Sequence, residues 1–330
     1  MHRRAVLAGM ATLSAALSVS RVSAFTPETH KLTLGLQSTG TAKWELAAMS
    51  ALKLDKKHEL ELTVTDVADA KAGQIALQAN EVEIILSDFV WVNLQRHQGN
   101  PMVIVPHSLT VGGLMVDPAA GIASVADLKG KTLAVSGSSV DKSFVVLSAY
   151  YAKQTGGKLA EDADIKFGAP PLVNEIFTGG QAQAALNLWN WNARAKVAGK
   201  TELISVPAML ADLGVSATPP LLGWVFKEEV ANEKKADLKA FLDASFETKK
   251  ALATKDDLWD KIRDVMNVDS DELFIALRDA YRAGIVLKYS AGDMAPAAEA
   301  FALMAQYGGA DVVGDATTLD EGTFWKGYHK

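Results

Sequence analysis

Short apolar runs that favour β-strands alternate with helical segments through the first two thirds of the chain, and this alternation restricts the fold more than any other feature. The runs between turns carry β-branched and aliphatic residues, as strands do. Such alternation favours an α/β fold with mostly parallel sheets and helices on both faces. The predicted strands are 31–36, 60–67, 82–86, 102–105, 132–135, 164–167, 184–189 and 202–206, and the predicted helices among them are 42–52, 70–78, 90–97, 141–151 and 193–198.

Two extended runs interrupt the alternation. Residues 109–116 contain a Gly-Gly pair with no helix before them, and residues 219–226 begin with two prolines. We interpret these runs as two crossover segments between two lobes, the first leaving a lobe and the second returning to it. From Lys227 onward the sequence is charged and mostly helical, with predicted helices 236–250, 256–266, 271–283 and 296–307.

The first 24 residues have the pattern of a secretory signal. Arg3 and Arg4 precede an apolar run, and a small-residue cleavage site ends at Ala24, so Phe25 is expected to begin an exported protein. The apolar run is too short to span a bilayer stably. The two arginines leave twin-arginine export open beside the general secretory route.

The composition argues against several classes of function. The net charge of −6 becomes −9 once the three arginines of the leader are removed, which disfavours nucleic acid as a partner. The chain has no cysteine, which excludes disulfides, thiolate nucleophiles and cysteine-ligated metals. Its six histidines are scattered along the sequence, so we expect neither a metal site nor a cofactor.

Residues 128–151 combine a strand, a polar turn and a helix. The turn Ser136–Ser139 supplies hydroxyls and free backbone N–H groups where the helix opens, and such a position favours a polar or negative ligand group. We interpret this turn as one wall of a ligand cleft. The alternative is an ordinary strand-to-helix connection in which Ser138 or Ser139 only caps the helix.

Five blocks of sequence, covering most of residues 31–244, resemble the periplasmic solute-binding proteins of the nitrate, sulfonate and taurine ABC importers when taken in order. The most specific is the DLKGK block with the strand, small-residue turn and helix that follow it. The blocks are LGLQSTGTAKWELA, EVEIILSDFVWVNLQRHQGNPMVIV, SVADLKGKTLAVSGSSVDKSFVVLSAYY, PPLVNEIFTGGQAQAALNLWNWNARA and LLGWVFKEEVANEKKADLKAFLDA.

This resemblance implies a two-lobed periplasmic-binding-protein (Venus-flytrap) fold, type II-like, with two mixed, mostly parallel sheets joined by two crossover segments. We expect a signal peptide over 1–24, a first lobe formed by 25–110 plus 219–330, and a second lobe over 111–218. It also implies a periplasmic monomer that closes on a small-molecule solute and delivers it to an ABC permease in the inner membrane.

Polar residues end four of the predicted strands, and ligands of open α/β sheets bind at the carboxyl ends of strands. These ends therefore give the candidate ligand-binding residues. Catalytic and metal-binding residues are expected to be absent. The candidates are Ser38, Thr39, Trp44, Ser87, Asp88, Ser138, Ser139, Asn187, Trp189 and Asn190.

Several candidates also have a plain structural interpretation. Ser38 and Thr39 could cap the following helix, Trp44 could fill the core, and Asp88 could cap its own helix, which favours Ser87 as the contact. Trp224, near the second crossover, could close the cleft or only pack in the hinge.

Three functions follow from these expectations. The first is an exported solute-binding protein of an ABC importer. The second is an enzyme on the same fold, resembling the thiamine-pyrimidine synthases; their cysteine-rich iron site has no counterpart here, so we expect no enzyme. The third is a periplasmic accessory or sensor protein serving a partner such as a dehydrogenase or receptor, which a cleft filled by its own tryptophans would favour. The candidate loops carry hydroxyls, amides and tryptophans, with only Lys43, Lys142 and Arg194 nearby, so the solute itself is not identified.

Overall fold

The computed structural model describes residues 29–292 and 294–330. The predicted leader and its cleavage site lie outside these residues. Within them the predicted α/β fold is confirmed, and ten strands form two mixed sheets of five. None of the described helices is long and apolar enough to cross a membrane. The strands are β1 (His30–Gln37), β2 (Leu60–Val67), β3 (Ile84–Asp88), β4 (Met102–Ser108), β5 (Gly112–Val116), β6 (Thr132–Ser136), β7 (Asp164–Gly168), β8 (Ala184–Leu188), β9 (Thr201–Ser205) and β10 (Leu222–Lys227).

The two sheets share one plan. The first has the order β2-β1-β3-β10-β4, in which β1 is parallel to β2 and β3, and β10 is antiparallel to both of its neighbours. The second has the order β7-β6-β8-β5-β9, in which β6 is parallel to β7 and β8, and β5 is antiparallel to both of its neighbours. Each antiparallel strand is the one that arrives from the other sheet, as the two crossovers predicted.

Both crossovers run along the carboxyl ends of the parallel strands. In the first sheet, Leu222 at the start of β10 pairs with Asp88 and Ser108, the last residues of β3 and β4. In the second sheet, Gly112 at the start of β5 pairs with Leu188, the last residue of β8. The strand ends that carry the predicted site are therefore also the ends at which the sheets are joined.

Gly112 is required where the first crossover enters the second sheet. Its φ is +135°, and a Cβ at this position would lie 2.0 Å from the carbonyl oxygen of Asn187. Any side chain would therefore push β5 away from β8.

The helices follow the predicted order with several differences. Four short helices were not predicted, and they cover Leu54–Lys57, Leu159–Asp162, Glu228–Glu233 and Ala310–Val313. A helix already begins at Trp189 where a strand end was expected, an unpredicted helix follows β9, and the expected helix over 256–266 is broken at Ile262. Two short 3₁₀ helices cover Pro118–Ala120 and Val125–Leu128. The α-helices are α1 (Ala42–Ala51), α2 (Leu54–Lys57), α3 (Ala70–Gln78), α4 (Phe89–His97), α5 (Lys142–Thr155), α6 (Leu159–Asp162), α7 (Pro170–Thr178), α8 (Trp189–Val197), α9 (Val206–Asp212), α10 (Glu228–Glu233), α11 (Lys235–Thr254), α12 (Asp256–Lys261), α13 (Arg263–Met266), α14 (Asp271–Ala283), α15 (Ala295–Gly308) and α16 (Ala310–Val313).

The carboxyl-terminal helices contact elements of both sheets. Helix α11 packs on α1 and β1 of the first sheet, whereas α14 packs on α8 and α15 packs on α5, which both follow strands of the second sheet. Arg194 of α8 adds two hydrogen bonds, of 3.2 and 3.1 Å, to backbone carbonyl oxygens at and just after the end of α13. The last third of the chain therefore ties the two sheets together.

Candidate functional site

Two of the predicted strand ends meet across the gap between the sheets. Asp88, the last residue of β3, places its Oδ2 3.2 Å from Nζ of Lys142, the first residue of α5. Its Oδ1 accepts a hydrogen bond of 2.8 Å from the backbone N–H of Trp91 and so caps α4. Asp88 therefore caps its own helix, as the structural interpretation predicted, and it also forms an ion pair with the other half of the fold.

Ser138 and Ser139 are exposed in the turn that precedes Lys142. They do not cap α5, because Asp141 has that role: its Oδ1 accepts a hydrogen bond of 2.9 Å from the backbone N–H of Ser143. Burial raises the pKa of Asp141, and the nearby charge of Asp88 adds to this while Lys142 opposes it. The hydroxyls of Ser138 and Ser139 are therefore not used to cap the helix.

Ser38 and Thr39 are also exposed, in the turn after β1. The residue at the start of α1 is Thr41, and its side chain makes no capping hydrogen bond. Ser38 Oγ lies 3.4 Å from the carbonyl oxygen of Val67 at the end of β2. The helix-cap interpretation of Ser38 and Thr39 is therefore wrong, and both hydroxyls lie at the carboxyl edge of the first sheet.

Ser87 and Asn187 are buried and already have partners. Ser87 Oγ accepts a hydrogen bond of 3.0 Å from Nε2 of Gln74 on α3. Asn187 Nδ2 donates to the carbonyl oxygen of Pro170 at 3.0 Å, and its Oδ1 accepts from the backbone N–H of Leu188 at 2.9 Å. Both side chains therefore already form hydrogen bonds within the protein.

Trp189 and Asn190 occupy the first turn of α8, not a strand-to-loop passage. Asn190 is buried, and Trp189 is half-buried. The Trp189 ring lies 5.9 Å from the ring of Trp44 and 6.0 Å from that of Tyr281, measured between centroids, and both contacts are edge-on. Trp44 and Tyr281 are 6.2 Å apart. Three aromatic side chains from α1, α8 and α14 therefore fill the space between the sheets at this point.

Trp224 belongs to the core, so the hinge-packing interpretation holds. Its side chain is fully buried, its ring lies 4.9 Å from that of His107, and its Nε1 donates to Ser245 Oγ at 3.3 Å. It has no exposed surface that could close a cleft.

A buried polar cluster lies next to the three aromatic rings, and the sequence analysis missed it. Glu45 is fully buried; its Oε2 accepts a hydrogen bond of 3.2 Å from the Tyr281 hydroxyl and lies 3.5 Å from His107 Nδ1 and 3.9 Å from Lys249 Nζ. Its Oε1 accepts a hydrogen bond from Ser245 Oγ. We call these five residues the Glu45 cluster.

Burial dominates the electrostatics of the Glu45 cluster. It raises the pKa of Glu45 against the lowering effects of Lys249, Ser245 and Tyr281, and it lowers the pKa of Lys249 against the effect of Glu45. Burial and the charge of Lys249 together hold the pKa of His107 well below its usual value, and burial raises that of Tyr281 well above. His107 is therefore uncharged near neutral pH.

One sequence signal could have revealed this cluster. The apolar stripe Leu238, Leu242 and Phe246 of α11 continues at helical spacing to Lys249, which places a lysine on a buried face. A buried lysine needs an acid nearby. The identity of that acid could not be read, because Glu45 lies about two hundred residues away along the sequence.

The described residues contain no group of three or more His, Asp or Glu side chains that could hold a metal ion. The surface at the strand ends instead offers hydroxyls, an ion pair and aromatic rings, which are groups suited to holding a small molecule by hydrogen bonds and stacking.

The chain matches the sequence model of a known protein family. A model described as NMT1/THI5 like matches residues 56–255, more than half of the 330 residues. The chain belongs to the NMT1/THI5-like family. Comparison with curated proteins finds no match to this NMT1/THI5-like chain.

Solved structures share the fold of this NMT1/THI5-like protein at low sequence identity. The alkanesulfonate-binding protein SsuA from Xanthomonas axonopodis pv. citri, bound to MOPS, has a TM-score of 0.69 at 16% identity, over 91% of this chain and 99% of that one. The nitrate-binding protein NrtA from Synechocystis PCC 6803 has a TM-score of 0.58 at 12% identity, over 76% and 70%. The desulfurization enzyme DSZB has a TM-score of 0.59 at 12% identity, over 88% and 96%. The same architecture thus serves binding proteins and an enzyme, so the fold alone does not decide between them.

Proposed function

We propose that this protein is an exported solute-binding protein that captures a small organic solute between two lobes and delivers it to an ABC importer. The observation that carries the proposal is the meeting of polar strand ends from the two sheets, with Asp88 and Lys142 3.2 Å apart across the gap. A solute held there would touch both sheets only when they are closed, and closure would then be linked to binding. The fold shared with SsuA and NrtA supports this proposal.

The proposal includes the organisation and location of the protein. The first lobe would comprise 25–110 plus 219–330 and the second 111–218, with a signal peptide over 1–24. The mature protein would work as a periplasmic monomer with a permease of the inner membrane as its partner, and it would bind its solute without transforming it. Within the proposed site, Ser38, Thr39, Ser138 and Ser139 supply hydroxyls. Trp189 supplies aromatic surface, and the buried ring of Trp44 packs behind it.

A thermal-shift screen tests the proposal. The mature protein beginning at Phe25 is heated with sulfonates, amines, pyrimidines and small aromatic acids, and a specific solute should raise the melting temperature by mass action. For any solute that binds, Trp189→Ala and the double change Ser138→Ala/Ser139→Ala should each weaken binding at least tenfold. Ser50→Ala, at an exposed position of α1, is the matched control. Unchanged affinity in both site variants would refute the site assignment.

One observation favours a second candidate, a periplasmic accessory or sensor protein for a partner protein. Trp44, Trp189 and Tyr281 pack against one another, so the gap is filled by the protein's own aromatic side chains. If this packing is permanent, no solute can enter at that point. Absence of any thermal shift across the screen, together with purification of a stable complex with a periplasmic protein, would establish this candidate instead.

A further inference from the structure

The basic side chains near the predicted loops are already engaged. Lys43 Nζ lies 2.6 Å from Asp66 Oδ1, and Lys142 is paired with Asp88 at 3.2 Å. The guanidinium of Arg194 donates to two backbone carbonyl oxygens and so points toward the end of α13. Each of these cations therefore already has a partner among the described residues, although Arg194 Nε is buried without one.

Lys249 differs from these cations. Its side chain is 1% exposed, and within residues 29–292 and 294–330 its ammonium group has no hydrogen-bond partner. The nearest carboxylate oxygen, Glu45 Oε2, is 3.9 Å away, which balances the charge but makes no hydrogen bond. An ammonium group buried in this way leaves its donors unsatisfied, which costs free energy unless another acceptor is bound.

Lys249 lines a small cavity. The cavity has a volume of about 10 Å³ and is lined by His107, Ser108, Lys249, Tyr281, Gly284 and Ile285. His107 Nδ1 is likewise buried without a hydrogen-bond partner among the described residues. A space of this size accepts a single oxygen atom, and the uncharged imidazole can donate a hydrogen bond to it from Nδ1.

The cavity lies where the chain crosses between the sheets. Ser108 ends β4 and forms an isolated bridge with Ile285, and the backbone N–H of Leu109 donates to the carbonyl oxygen of Gly284 at 2.9 Å. All six lining residues belong to the proposed first lobe, 25–110 plus 219–330. Tyr281 forms one wall, and its ring also contacts Trp189 of α8. The cavity is thus separated from the proposed solute site only by the ring of Tyr281.

We propose that the cavity is the subsite for an uncharged hydrogen-bond acceptor of the solute, such as a carbonyl oxygen, bound by Lys249 Nζ and His107 Nδ1. This inference rests on the proposed function and specifies its substrate class. An uncharged acceptor is preferred over an anion because Glu45 already balances the charge of Lys249, and a second anion would bring an uncompensated charge into a buried site. The rest of the solute would lie against Trp44, Trp189 and Tyr281.

The test uses matched pairs of solutes that differ in charge. Calorimetry with the mature protein compares acetamide with acetate, benzamide with benzoate, and nicotinamide with nicotinate, and adds benzenesulfonate. At least one amide should bind at least tenfold more tightly than its carboxylate. Lys249→Met should weaken the binding of that amide at least tenfold. Lys250→Met, at the exposed neighbouring position of α11, should leave its affinity unchanged.

A second variant covers the case in which Lys249→Met does not fold. Glu45→Gln keeps the shape of the side chain but removes the negative charge, so the preference should shift toward the carboxylate by at least tenfold. Tighter binding of carboxylates or of benzenesulfonate by the unaltered protein, or affinities that do not respond to these two variants, would overturn the subsite and leave the proposed function intact. Failure of every solute in the thermal-shift screen would remove the proposed function, and this inference with it.

Discussion

At the scale of single residues, the Glu45 cluster shows how burial changes the chemistry of ordinary side chains. Its five members come from α1, β4, α11 and α14, and each has a pKa shifted mainly by loss of solvent where a shift is resolved. The cluster also joins α1, α11 and α14 to the end of β4 beside the first crossover. Its protonation state should therefore affect the stability of the part of the fold on which lobe closure would depend.

His107 should make the protein less stable in mild acid. Its pKa in the folded protein is well below the usual value of 6.5, so as the pH falls below 6.5 the unfolded chain takes up a proton that the folded protein does not. Stability therefore falls as the pH falls through this window, by up to about 1.4 kcal/mol per pH unit. His107→Phe should make the free energy of unfolding depend less on pH. Urea denaturation at several pH values in this range measures the effect.

The exposed histidine His97 provides the control for this experiment. His97→Phe should keep the slope of the unaltered protein. An equal slope for His107→Phe and the unaltered protein would show that His107 is protonated in the folded state as readily as in the unfolded one.

At the scale of elements, the strand ends determine the site, and much of this could be predicted. A polar turn after an apolar run identified 38–41, 87–88 and 136–139, because strand ends in α/β sheets share one edge. The start of α8 was predicted incorrectly. The sequence ALNLWNWN keeps apolar residues at strand spacing as far as Trp189, but pairing of β8 with β5 stops at Leu188, opposite Gly112. Loss of the pairing partner ended the strand, and this cannot be seen locally.

Gly112→Ala should be strongly destabilising. The added methyl group would lie 2.0 Å from the carbonyl oxygen of Asn187, at a φ of +135°, so β5 must shift. We expect a loss of about 3 kcal/mol or more in the free energy of unfolding, measured by urea denaturation.

Gly99→Ala is the control that distinguishes the cost of steric overlap from the cost of a positive φ. Gly99 also has a positive φ, +84°, but a Cβ there would meet nothing within 4 Å. We expect a loss of only about 1 kcal/mol. Similar losses of stability for the two variants would mean that the close approach of β5 to β8 does not require a glycine at position 112.

At the scale of the whole molecule, the two sheets are joined by the crossovers, by the carboxyl-terminal helices and by the ion pair between Asp88 and Lys142. The ion pair is only partly buried, with side-chain exposures of 16% and 23%, so it is expected to contribute modestly to closure. An interaction of this size can shift the balance between open and closed forms without preventing opening.

Lys142→Met should shift the protein toward a more open form. The variant removes the attraction across the gap and leaves the Asp88 carboxylate unpaired near Asp141, so the two sheets should separate more often. Small-angle X-ray scattering should then give a larger radius of gyration than for the unaltered protein. Lys153→Met is the control, because Lys153 is on the same helix but bonds to the carbonyl oxygen of Asp212 within the second half of the fold. An unchanged radius for Lys142→Met would mean that the ion pair does not affect closure.

The sequence by itself determined the α/β class, the two crossovers, the polar turns and the order of most elements. These depend on spacing and turn chemistry within some ten residues, and such interactions are local. Only the tertiary structure decided that Asp88 pairs with Lys142, that Trp44, Trp189 and Tyr281 fill the same space, and that Lys249 is buried beside Glu45. These contacts join residues about fifty to more than two hundred positions apart, and no local preference specifies which distant partner a buried charge or ring will meet.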